Sequence, residues 1–269
     1  MSGGADSLAL LVLAVETGHQ VHAVHVDHGL RPESSAEAAI VEAAAVRFGA
    51  RFSSVSVSVP AGPNLEARAR TARYDVLPAD ALTGHTADDQ AETVLLHLLR
   101  GSGLTGASGI GQRRGRPLLD LRRADTEAVC VLAGLEPVRD PSNSDPAHLR
   151  NRVRHEVLPL LDEITDRDVV PLLVRHGELA AEGAAALDAA VADVDPTDTR
   201  AVAKLPEALQ RVAVRGWLRR ELPETYPIDR AATDRVLRVV AHEIRATEIG
   251  GGWRVARTDG SLRVEPPAR

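Results

Sequence analysis

Lysine is nearly missing from this chain. Lys204 is the single one, so almost all positive charge is guanidinium. Cysteine is equally scarce: Cys130 alone excludes an internal disulfide and a multi-thiolate metal site, and it fits a reducing compartment. Aromatic residues make up 2% of the sequence, too few for the stacking platforms of a single-strand-binding protein. No apolar run is long enough to span a bilayer, and the first residues carry neither the basic stretch nor the cleavage site of a signal peptide. A cytoplasmic protein without a membrane partner is expected. The net charge of −6 gives no general support for nucleic-acid binding. Between residues 110 and 155, however, nine arginines face six acids, which permits a polyanionic partner there.

What is present is alternation. Residues 7–16 form an apolar stretch closed by Gly18, and 21–26 form a β-branched run suited to a buried parallel strand. A helix is expected from Ser34, with Glu37 completing a capping box, to Gly49. Val55, Val57 and Val59 alternate with serines in a strand over 51–59, Asn64 caps a helix to about Val76, and 81–84 reads as a strand end. In 88–100, Ala91, Val94, Leu95, Leu98 and Leu99 fall on one helical face. Strands alternating with helices predict an α/β fold with an open, doubly wound parallel sheet. From about residue 149 the pattern turns helical, with Leu149, Val153, Val157, Leu160 and Leu161 on one stripe. A loop over 193–199, a helix over 205–222 and a hairpin turning at Asp259-Gly260 follow. The expected division is 1–165, a catalytic domain, and 166–269, a smaller and mainly helical domain ending in the hairpin.

Five segments carry chemistry. Ser2, Gly3, Gly4, Ala5, Asp6 and Ser7 open the first helix, where glycines and a helix N-terminus present N–H groups to an anion. No Lys-Ser/Thr pair follows, so this is not a Walker A loop; a capped glycine turn has the same look. His25, Asp27, His28 and Arg31 lie at a strand end, where ligands bind in open α/β sheets. Glu66, Arg70 and Arg73 share a helix and would also serve as a surface ion-pair set. Gly84, His85, Asp88 and Asp89 offer a site for Mg²⁺ or an ammonium group, although acids at a helix start are also ordinary capping residues. A D-P-S-N-S-D turn at 140–145 leads to Arg150, Asn151, Arg152 and Arg154, either a phosphate-binding face or a solvated one.

The hexapeptide S-G-G-A-D-S resembles the PP-loop of the ATP pyrophosphatases. The set of segments, in this order within residues 2–161, resembles the tRNA(Ile)-lysidine synthetases: D-H-G-L-R, N-L-E-A-R-A-R-T-A-R-Y, T-G-H-T-A-D-D-Q-A-E-T, L-L-R-G-S-G-L, D-P-S-N-S-D and R-N-R-V-R. A weaker similarity covers 205–217 and the final hairpin. The chain departs from the pattern in two ways. Thr86 stands where many relatives carry a second histidine. Met1 directly precedes the loop, so the strand expected to feed it is not in the sequence, and the expectation is an incorrect start or a lost strand.

The resemblance implies adenylation of C2 of the wobble cytidine (position 34) in a CAU-anticodon tRNA(Ile). The amine of free L-lysine then expels AMP. ATP and Mg²⁺ are the implied cofactors, and a homodimer is admitted. By the same resemblance, Ser2, Gly3, Gly4, Ala5, Asp6, Ser7, His25, Gly84 and His85 would bind ATP. Asp6 and Asp89 would hold the metal, and Asp6, Asp89, Arg73 and Arg70 would act in catalysis. Arg150, Asn151, Arg152 and Arg154 would hold tRNA. The competing readings are a tRNA thiolase of the same fold and a nucleotide-binding protein without catalysis.

Overall fold

The structure, a computed structural model, describes all residues except 28, 30–33, 60–64, 111–114, 139–144, 224–225 and 268–269, and leaves out the side chains of 34–36, 65–67 and 70. It divides into two compact units, Met1–Ala181 and Glu182–Arg269. Residue 165 lies inside the first.

The first unit begins with α1 (Ala5–Glu16), β1 (His22–Asp27), α2 (Ser34–Arg47) and β2 (Arg51–Ser56). β1 and β2 pair in parallel, with His22 opposite Arg51 and Asp27 opposite Ser56. Leu8 and Leu11 of α1, Ala23 of β1, Val41 and Ala45 of α2 and Cys130 form one buried cluster. Each large aliphatic chain there contributes about 1.5–3 kcal/mol by leaving water. That burial, more than helix propensity, sets α1 against the pair.

Next come α3 (Leu65–Val76), α4 (Ala87–Leu99), the short α5 (Leu104–Ala107) and α6 (Arg123–Leu132), which packs on α1. Asn64, expected to cap α3, lies outside the described residues. Residues 81–84, read from sequence as a strand end, make no ladder among the described residues. Their amides go to turns and loops instead, Ala81 to Pro78 and Thr83 to Gly115. The face expected on α4 is only half correct. Ala91 and Val94 are buried, but Leu98 and Leu99 are exposed, because the inward face at the start of the helix is polar: Asp89, Gln90 and Glu92.

Beyond it, α7 (Leu149–Arg152) passes into a π-helical turn (Val153–Val157) and then α8 (Leu158–Thr165). The wider turn shifts the phase of the apolar stripe. Val153 and Leu158 are buried with Ala87, Ala91 and Val170, while Leu149 and Leu160, expected inside, are exposed. α9 (Val170–Ala190) crosses the division between units.

The second unit contains α10 (Thr199–Ala203), α11 (Glu207–Glu221), α12 (Arg230–Val240) and an antiparallel sheet of β3 (Ala246–Gly250), β4 (Trp253–Thr258) and β5 (Ser261–Glu265) in that order. The β4–β5 turn uses Asp259 and Gly260, both at positive φ (51° and 83°), the conformation a two-residue hairpin needs. α12 and β3 are additions to the sequence reading. The signal for α12 is legible in retrospect: Asp229 accepts from the Ala232 amide at 2.6 Å as an N-cap, and Ala232, Val236, Val239 and Val240 bury one stripe. Among the described residues, no helix is long and apolar enough to cross a membrane.

Candidate active site

The loop at residues 2–7 opens onto a cleft of 1990 Å³ in the first unit. Gly3 has φ 71°, and a Cβ there would stand 2.9 Å from Val138 Cγ2, so the loop's path requires glycine. Ser7 Oγ donates to the Gly4 carbonyl at 3.0 Å, and the Gly4 amide lies 3.4 Å from Ser2 Oγ. The start of α1 thereby presents serine hydroxyls and backbone N–H groups together, a phosphate cradle by chemistry.

Gly84 meets the loop from the other side: a Cβ on it would lie 2.6 Å from the Asp6 carbonyl oxygen. Gly84→Ala must therefore displace the PP-loop backbone. ATP-dependent AMP formation is expected to fall about 10²-fold, the scale of a misplacement near 1 Å, and a steady-state assay with saturating ATP checks it. Unchanged turnover would mean that the loop tolerates the shift.

Asp6, one residue into α1, lies in the cleft, and Thr126 of α6 donates its hydroxyl to Asp6 Oδ1 at 2.5 Å. Its carboxyl is pushed above the ordinary range, first by burial and then by the charge of Asp89, against the Thr126 bond and the Arg123 and Arg154 charges. His25 is 2% exposed; its Nδ1 lies 2.9 Å from the Met1 carbonyl, and its Nε2 is buried without a hydrogen-bond partner among the described residues. An orphaned ring nitrogen on the cleft wall is suited to a ligand's polar group.

α4 supplies the acids. Thr86 is its N-cap, and Asp89 Oδ2 accepts from the Thr86 amide at 3.0 Å, a capping box that pins the side chain. Asp89 Oδ1 accepts from Arg123 at 3.3 Å, Arg150 at 3.2 Å and Arg154 at 3.4 Å. Glu92, with a side chain 0% exposed, takes Arg150 Nε at 2.7 Å and Arg154 Nε at 2.6 Å, with Arg123 at 3.5 Å. Arg154 is held more firmly protonated than usual. Burial opposes this, and the Glu92 bond with the charges of Glu92, Asp89 and Asp6 outweighs it. Asp88 points away to Arg122 and the Arg123 amide, which hold its carboxyl below the ordinary range despite burial.

The four residues expected to form one tRNA-binding face do not share a face. Arg150 and Arg154 turn into the cleft, because Asp89 and Glu92 lie opposite. Asn151 is buried and donates to the Asp145 carbonyl at 2.9 Å, holding the preceding turn. Arg152 points outward in an i, i+4 pair with Glu156 at 3.0 Å. Helical spacing sorts them: Arg150 and Arg154, four residues apart, share the face toward Asp89 and Glu92, and Arg152, two residues from each, points the other way. Arg73 lines the cleft, as do His85 (2.9 Å from Thr83 Oγ1) and Ser2, Gly4, Ala5 and Ser7. The Arg70 side chain, His28, Arg31 and residues 140–144 lie outside the described residues. Arg123, Thr126 and Glu92 were not singled out from sequence. Of these, Glu92 stands inside a quoted motif, but Arg123 and Thr126 gave no local signal because only the packing of α6 on α1 brings them in.

A glycine loop at a helix start, a cleft-facing aspartate and a parallel strand pair define a PP-loop ATPase domain, and a PP-loop domain family model matches residues 1–161. Among solved structures, the U34-tRNA thiolase NcsA from Methanococcus maripaludis, described with its [4Fe-4S] cluster, superposes with a TM-score of 0.53 at 17% identity, over 68% of this chain and 71% of that one; this likeness concerns the fold alone. Curated relatives are more specific. A tRNA(Ile)-lysidine synthase of Nocardia farcinica is 42% identical, covering 98% of this chain and 86% of the relative. That of Rhodococcus erythropolis is 41% identical with the same coverage, and that of Mycobacterium leprae is 40% identical over 81% of this chain and 73% of its own. The chain belongs to the tRNA(Ile)-lysidine synthase family.

Proposed function

We propose that this enzyme ligates L-lysine to C2 of the wobble cytidine of CAU-anticodon tRNA(Ile), with ATP converted to AMP and pyrophosphate, in the cytoplasm. The observation that carries the reading is the meeting, in one cleft, of the PP-loop with a buried set of alternating carboxylates and guanidinium groups. Such a set recognises both an anionic phosphate and a cationic amine. The serine hydroxyls and N–H groups of the loop hold the phosphates, and Arg73 on the cleft wall faces the adenylate. His25 Nε2 offers the nucleotide a hydrogen-bond partner at no cost in lost protein bonds. Arg123, Arg150 and Arg154 are positioned by Asp89 and Glu92, so their charge is fixed before the transition state forms.

For Mg²⁺ the chemistry of the donors favours Asp6. Its Oδ1 receives Thr126, whereas both oxygens of Asp89 are taken by the α4 cap and the three guanidinium groups. A hard cation there would neutralise charge on the pyrophosphate leaving group. Asp89 instead sets the electrostatic balance of the pocket that receives lysine. Arg152, outward and paired among the described residues with Glu156, is the arginine of this segment suited to an RNA phosphate. The thiolase alternative has no support in the residues: a cluster of four irons needs several thiolates, and the chain has Cys130 alone, buried.

The test is AMP formation from ATP with purified enzyme, a CAU-anticodon tRNA(Ile) transcript and lysine, each omitted in turn, with lysidine detected by mass spectrometry of the nucleosides. Both substrates are expected to be required. AMP release without lysine, or ATP binding without turnover, would reject the ligase reading, and the latter would favour a nucleotide-binding protein.

A further inference from the structure

Two acids at the start of α4, Asp88 and Asp89, stand opposite two arginines at the start of α6, Arg122 and Arg123, and the four divide between two environments. Asp89 and Arg123 line the cleft and meet there at 3.3 Å. Asp88 and Arg122 do not line it. They form a fork outside, with Arg122 Nε donating to Asp88 Oδ2 and Nη2 to Oδ1, both at 3.1 Å. A bidentate pair fixes orientation as well as distance.

Arg122 is an uncommon N-cap. That position favours a side chain that accepts hydrogen bonds, and a guanidinium only donates. The amides at the start of α6 are served by carboxylates instead. Asp88 Oδ2 accepts from Arg123 N–H and Asp125 Oδ2 from Arg122 N–H, both at 2.7 Å. The backbone joins the two helix starts as well, Ala87 N–H donating to the Leu121 carbonyl at 2.8 Å. One carboxylate, that of Asp88, therefore holds both the Arg122 side chain and the Arg123 amide. Arg122 has a further arm to Asp168, ahead of α9. That carboxylate is 46% exposed against 16% for Asp88, so its attraction is the more screened of the two.

We propose that Asp88 and Arg122 are positioning residues, which seat the first turn of α6 on α4 so that Arg123 reaches Asp89 and Glu92 while Thr126 reaches Asp6. Arg123 and Thr126 lie three residues apart on one helical face, so a small rotation of α6 displaces both contacts together. The outer pair fixes that rotation from a place that substrate does not occupy. What is lost in activity rests on the proposed ligase reading, whereas the seating of Arg123 belongs to the chain without substrate.

The experiment uses Arg122→Ala, Asp88→Asn, their combination and Asp168→Asn in the full chain. In Arg122→Ala, kcat for AMP formation is expected to fall about 10²-fold, with KM for ATP within about twofold of wild type because the PP-loop is untouched. Asp88→Asn, which keeps an acceptor for the Arg123 amide, is expected to lose less. The combination removes the carboxylate charge that Arg122→Ala leaves without its fork, which guards against loss through misfolding. Its kcat is expected to match that of Arg122→Ala and not the product of the two single losses. Asp168→Asn is expected to stay near wild type. Without substrate, ¹⁵N NMR reads the Arg123 guanidinium, assigned through Arg123→Lys. Its Nη signals are expected to be distinct in wild type, where Asp89 restrains rotation, and averaged in Arg122→Ala. Wild-type kcat in Arg122→Ala, or multiplicative losses in the combination, would overturn the proposal. So would a KM for ATP that rises in step with the fall in kcat, the mark of a loosened domain, or an equal loss in Asp168→Asn, which would put the seat at α9. If wild type formed no AMP the ligase reading would fail, and the Arg123 signals would still decide the seating: the same signals in wild type and Arg122→Ala would reject it.

Discussion

Replacing Asp6 by Asn is expected to abolish AMP formation, by 10³-fold or more, while leaving the protein as stable as before or more stable. The loss follows from removing a cleft carboxylate whose second oxygen has no partner among the described residues and which the proposed reaction uses near the pyrophosphate. The stability half follows from linkage. The native carboxyl titrates above its ordinary 3.8, chiefly because burial disfavours the charge and Asp89 repels it. Between 3.8 and the raised value the native state therefore binds more protons than the unfolded chain, and stability falls as pH rises through that window. Above the window the buried charge is a standing cost that asparagine removes, while the Asn amide oxygen still accepts from Thr126. Wild type and variant should thus converge in melting temperature when the pH is lowered through the window, and the variant should equal or exceed wild type at neutral pH. Scanning calorimetry from acid to neutral pH, with an AMP assay, tests both halves. An active variant would remove Asp6 from the chemistry, and one destabilised at neutral pH would show that the carboxylate is structural.

The largest effect on stability is expected at Glu92. Its side chain is wholly buried and neutralises Arg150 and Arg154 at 2.7 and 2.6 Å, with Arg123 at 3.5 Å. Glu92→Ala leaves Asp89 to balance three guanidinium groups. Breaking a buried ion network by removing one partner costs about 3–5 kcal/mol, a large share of the roughly 5–15 kcal/mol that holds a domain together. A lower urea midpoint is the expected result, with activity lost in parallel as the arginines splay into water. Glu92→Gln, which keeps the shape and one acceptor, should recover part of the stability. If Glu92→Ala unfolded at the wild-type midpoint, the cluster would be no support for the fold, and Asp89 alone would hold the arginines.

These two residues mark how far the sequence reaches. Asp6 was identifiable from its place in S-G-G-A-D-S, because a phosphate loop is a local device whose parts are adjacent in the chain. The alternation of β-branched runs with helical stretches likewise pointed to the parallel pair, α1 and α4, since periodicity is a property of neighbouring residues. The Asp259-Gly260 turn was legible because the two left-handed positions that it needs suit those residue types.

Tertiary structure decided the rest. Glu92 lies three residues from Asp89 in a quoted motif, yet only the packing of α4 against the segment at 149–157 makes it the buried centre of a guanidinium cluster. Arg150, Asn151, Arg152 and Arg154 form one basic string in sequence. The packing of this helical segment sends them to different environments, inward to carboxylates, into a buried turn or out to solvent. Thr126 lies 120 residues from Asp6 and reaches it because α6 packs on α1. By itself the sequence determined which short segments could bind phosphate, turn or bury a face, because those properties depend on nearby residues. Which charges neutralise one another was decided by the fold, because Coulomb energy depends on distance in space and on burial, and neither is written in the order of residues.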